Sequence, residues 1–108
     1  MIRVMLSLDL IDVVDERNDF YGALADDGWK KAKNVDTVWL KKFTSYTTLD
    51  EESSQKLRNE IANSVIKPAA EFKIKQIFYV AQLGNDSVIS RVVEKRDGKI
   101  LAYPHDLF

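Results

Sequence analysis

The chain has 108 residues, with 16 Lys and Arg against 17 Asp and Glu, one His, no Cys and a hydrophobic share of 45%. This length gives one domain, residues 1–108, able to bury a core without a disulfide or metal staple, and the composition argues against a disordered chain and excludes zinc-finger, iron–sulfur and thiol chemistry. No apolar run approaches the roughly 18 to 20 residues of a membrane span, and the N-terminus lacks a basic region with a cleavage site, so a cytoplasmic protein without membrane contact is expected.

Ile2, Val4, Leu6, Leu8 and Leu10 alternate with Arg3, Met5, Ser7 and Asp9, the period of a strand with one buried face and Asp9 on the other. From Glu16 the apolar spacing turns helical through Phe20, Tyr21, Leu24, Ala25, Gly28 and Trp29, with Asp15 placed to cap. Gly28 suits a left-handed helix end; the competing reading carries this helix through Lys33. Residues 29–33 and 37–43 predict two short antiparallel strands around Asn34, Val35 and Asp36. A second helix is expected near Thr48, where Thr48 to Glu51 has capping-box spacing. Its apolar stripe is Leu57, Ile61, Val65 and Ala69, and Pro68 is expected to stop or kink it.

Residues 74–83 form the richest strand, and residues 88–95 and 99–102 flank Asp97-Gly98, a type I′ hairpin signal. The tail from Pro104 is expected to be irregular, docked if at all through Leu107 and Phe108. This order predicts an α+β fold, a ferredoxin-like sandwich (βαββαβ) over residues 1–83 with an additional C-terminal β-hairpin and tail over 84–108. Both helices then cover one sheet face. The bare opposite face calls for a homodimer unless the hairpin covers it.

The net charge of -1 is unevenly distributed. Residues 1–28 carry seven acids and two bases, residues 29–44 five lysines and one acid, and the remainder nine of each. Lys30, Lys31, Lys33, Lys41 and Lys42 fall on the second and third strands, where a hairpin could gather them against phosphates, with Trp29 and Trp39 near enough to stack on bases. Edge-strand lysines also resist aggregation, so both readings of the lysines stay open, whereas the tryptophans are expected to be core or interface anchors. The hydroxyls Ser45, Tyr46, Thr47 and Thr48 precede the second helix and are explained by capping. His105, alone on the tail, reads as a surface residue.

The sequence also carries a first strand ending in Leu8-Asp9-Leu10, a helix closing on Gly28-Trp29, the strand Thr37-Val38-Trp39, the start Thr48-Leu49-Asp50-Glu51 and the strand Ile77-Phe78-Tyr79. Together they make residues 1–83 resemble the small ferredoxin-fold proteins related to the CRISPR-associated spacer-acquisition subunit and to virulence-associated protein D, a group containing endoribonucleases and antitoxin RNases. The resemblance implies a homodimer cleaving RNA or DNA with a metal ion, Asp9 being the catalytic position. Leu8 departs from the family pattern, which often has an aromatic residue there, and so does the long acidic link after Asp9. Mg²⁺ would suit two copies of Asp9 facing each other across a dimer dyad, with Asp12 nearby, since it takes one or two carboxylates along with phosphate. Acids at a strand end also serve as turn and cap residues.

Two functions follow. One is a small dimeric nucleic-acid-associated protein like these Mg²⁺-dependent endoribonucleases, with the Lys30 to Lys42 region on phosphate. The other is a non-catalytic protein-binding module, an antitoxin, phage-borne inhibitor or regulatory subunit, whose acids engage a basic partner. Whether catalysis exists at all is open from the residues alone.

Overall fold

The computed structural model describes residues 1–13, 15–35, 37–86 and 88–106. It contains β1 (Ile2–Ile11), α1 (Arg17–Asp26), β2 (Lys30–Lys31), β3 (Val38–Phe43), α2 (Glu51–Glu71), β4 (Gln76–Leu83), β5 (Ile89–Arg96) and β6 (Lys99–Pro104). The strands form one antiparallel sheet in the order β2-β3-β1-β4-β5-β6. Alternation along β1 puts Val4, Leu6, Leu8 and Leu10 on one face, and register aligns them with Leu83, Ala81, Tyr79 and Ile77 of β4. Phe20 and Leu24 of α1 and Leu57, Ile61, Val65 and Ala69 of α2 close this core.

This corrects the expectation of a ferredoxin-like βαββαβ sandwich with an appended hairpin. The fold is a β-rich, six-stranded antiparallel sheet with two helices, 39% strand and 30% helix among the described residues. β5 pairs with β4 from Gln76↔Glu94 to Ala81↔Ile89, and β6 continues the sheet beyond it. The cause is burial: Ile89 and Val93 belong to the core, and Ile100 and Ala102 pack against it. α2, 21 residues long, packs against both β5 and β6. The hairpin thus widens the sheet instead of turning over its open face.

Local chemistry explains the remaining boundaries. Gly28 ends α1 at φ +96°, with its own N–H on Ala25 O and the Trp29 N–H on Leu24 O, the two bonds of a Schellman motif. Glu16, not Asp15, is the N-cap of α1, and it makes no side-chain capping bond. β2 is only Lys30–Lys31, held to Leu40 and Trp39. α2 starts at Glu51, later than the Thr48 expectation, because the Asp50 carboxylate accepts the Ser53 N–H at 2.7 Å. That bond holds the Asp50 carboxyl below its usual range. Pro68 does not end α2: the Phe72 N–H reaches Pro68 O at 2.9 Å, and buried Pro68 and Ala69 hold the last turn to the core. Asp97 (φ 52°) and Gly98 (φ +79°) supply the positive φ pair of the expected hairpin turn. Asp36, Leu107 and Phe108 lie outside the described residues, and with them the expected docking of the tail. No helix among the described residues is long and apolar enough to cross a membrane.

Candidate nucleic-acid interface

The sheet face opposite the helices follows from the same alternation. β1 sends Arg3, Met5, Ser7 and Asp9 to it, and register sets Lys42, Leu40 and Val38 of β3 beside the first three. Lys30 of β2 stands beside Leu40. Arg3, Lys30 and Lys42 are exposed, as are Met5 at 50% and Leu40 at 43%. Arg3, Gly28, Lys30, Leu40, Lys41 and Lys42 line a depression of about 550 Å³, and no carboxylate is among them. Pairing has thus collected cations from three strands around an apolar centre.

Not all the expected lysines share this face. Lys31 lies on the helix side with its Nζ 5.2 Å from the Tyr21 ring centroid. Lys41 alternates inward, where its Nζ donates to Asp27 O at 2.5 Å and stands 3.6 Å from the Asp27 carboxylate and 5.0 Å from the Phe43 ring. Asp27 also accepts from Ser64 of α2, so Lys41 ties the end of α1 to β3 and α2. Lys33 follows β2 in a turn. Trp29 and Trp39 are buried at 2% and 4% exposure, which removes them as base-stacking platforms and makes them core anchors. Tyr46 donates to Glu60 at 2.6 Å, and that bond pushes its phenol up to about 12.

Asp9 sits at the other end of the face, opposite Phe78 of β4. Ser7, Asp9, Thr37, Phe78, Ser90 and His105 border a second depression, of about 370 Å³. The His105 N–H donates to Ser90 O at 3.2 Å, one residue beyond the Arg91↔Pro104 pair, and its ring lies 4.7 Å from that of Phe78 at 54°. Asp12, at φ 55° in the turn after β1, borders a different depression with Lys73, Lys75 and Glu94. Asp9 and Asp12 thus border different depressions of one chain. Among the described residues no group of three or more His, Cys, Asp or Glu is placed to hold a metal ion.

Arg3 was not singled out in the sequence as a cation of this cluster, although its parity with Met5, Ser7 and Asp9 was readable. Phe78, Ser90 and His105 come together only through pairing and the course of the tail. Comparison of the chain with protein-family models, curated proteins and solved structures gives no match.

Proposed function

We propose that the protein is a nucleic-acid-binding module in which Arg3, Lys30 and Lys42 hold the phosphate backbone. The observation that carries this reading is the carboxylate-free lining of the depression that these cations share around Leu40. Three phosphate contacts on a single strand give a slope of log K on log salt of about −2. No cleavage step is assigned, and the homodimer expected from the open face would put a second copy on the same surface.

Fluorescence anisotropy of labelled single-stranded RNA, single-stranded DNA and duplex tests the proposal. Replacing Arg3, Lys30 and Lys42 together by Gln is expected to weaken binding at least tenfold and flatten the salt slope, while Lys31→Gln with Lys33→Gln leaves both nearly unchanged. Absence of binding to all three probes overturns the reading. Sedimentation with and without the oligonucleotide separates the two occupants, since nucleic acid bound on this face dissociates any pair of copies formed through it. Incubation with Mg²⁺, in the parent and in Asp9→Ala, tests for cleavage.

A further inference from the structure

We infer that the depression around Asp9 and Phe78 is a nucleobase pocket, selective for single-stranded nucleic acid and for bases that carry an amino group. The inference rests on the nucleic-acid reading of the neighbouring cations and names what the strand does beyond them. Phe78 already has one ring beside it, that of His105, 4.7 Å away and tilted at 54°. His105 is exposed and lies beyond the last strand, so swinging outward by one ring thickness, about 3.5 Å, admits a base between the two. Aromatic rings bind bases this way only when the bases are unstacked, which a duplex does not offer.

The polar border decides the kind of base. Asp9 is exposed and forms no ion pair or hydrogen bond among the described residues. A phosphate beside it meets like charge. A base edge with an exocyclic amino donor meets a free acceptor, as cytosine N4 does on a carboxylate. The hydroxyls of Ser7, Thr37 and Ser90 around it donate or accept, and the Ser7 and Thr37 oxygens stand 3.5 Å apart. The cation cluster centres on the Met5 position, four residues up β1 from Asp9, a distance of about 13 Å. Stacked nucleotides rise about 3.4 Å each, so roughly four span the two sites and fewer if extended. Phosphates then run over Arg3, Lys30 and Lys42 while a base further along enters between Phe78 and His105.

Anisotropy with single-stranded RNA homopolymers of about ten nucleotides, a span that covers both sites, tests this, with a fully abasic strand of equal length as the phosphate-only probe. Oligo-C and oligo-A are expected to bind about tenfold tighter than oligo-U, and oligo-U tighter than the abasic strand. Phe78→Ala should reduce the homopolymers to the abasic level, and Asp9→Ala should equalise C, A and U while leaving the abasic strand unweakened. Phe78 is half-buried, so Asp9→Ala, at an exposed position, keeps the test independent of folding. Equal affinity for oligo-C, the abasic strand and duplex overturns the pocket while leaving the cation face standing, provided the Arg3, Lys30 and Lys42 variants still weaken binding. Failure of every strand to bind overturns both.

Discussion

At Gly28 the backbone stands at φ +96°, and a Cβ there would lie 3.3 Å from Cε of Lys41. A left-handed conformation costs an L-residue about 1–2 kcal/mol, and here the new methyl also presses on the lysine that ties α1 to β3. Gly28→Ala is therefore expected to lower stability by at least about 1 kcal/mol in urea unfolding. Gly22, inside α1 with nothing within 4 Å, is the matched opposite, and Gly22→Ala should raise stability by up to about 1 kcal/mol. Two changes of the same sign would contradict the backbone argument. Tyr79 carries a pH signature of its own. It is 2% exposed, and burial pushes its phenol from 10.0 up to about 12 against the partial relief of Arg91. Folding therefore keeps a proton that the unfolded chain releases first. The resulting stability is fully present below about pH 10 and is lost as pH rises toward 12, at no more than about 1.4 kcal/mol per pH unit. Tyr79→Phe should flatten that alkaline decline in chemical denaturation series, and an unchanged decline would remove Tyr79 as its source.

Among the elements, α2 shows most directly how a sequence pattern becomes stability. Leu57, Ile61, Val65 and Ala69 recur every four residues, and each is 0% exposed against the sheet. Ile61→Ala is expected to cost about 2–5 kcal/mol, whereas Leu40→Ala on the open face should stay within about 0.5 kcal/mol. A comparable loss at both positions would mean that the open face is itself packed. The same periodicity made this stripe readable from the residues, and the Asp97-Gly98 turn was equally readable because its backbone demand is local. The two-residue β2 was not: Lys30 and Lys31 extend only where Leu40 and Trp39 pair with them. Nor did the sequence show that β5 and β6 extend the sheet, since that depends on the core taking in Ile89 and Val93 with Ile100 and Ala102 against it. Helix ends fell between these cases. Thr48 and Asp50 both suit a cap, and the carboxylate at Asp50 makes the bond.

For the molecule as a whole, the site was half legible. Alternation along β1 was enough to place Asp9 opposite the core, but strand register decides that Arg3 joins Lys30 and Lys42 while Lys41 turns inward to Asp27. Net charge alone argues against nucleic acid, so the separation of its two signs has to do the discriminating. Asp15 and Asp19 are exposed on α1 and its approach, in the layer behind the sheet, whereas Arg3, Lys30 and Lys42 stand on its other face. Asp26 is not one of these remote acids, since it stands two residues before Gly28, which lines the cation depression. Screening then sets the influence of the other two: the Debye length is about 8 Å at physiological ionic strength and about 30 Å at 0.01 M. Replacing Asp15 and Asp19 together by Asn is therefore expected to tighten RNA binding severalfold at the low ionic strength and hardly at all at the physiological one. Titrations of this double variant and the parent at both ionic strengths measure the difference. Equal tightening at both would mean that α1 lies against the strand, and would move the interface away from the open face.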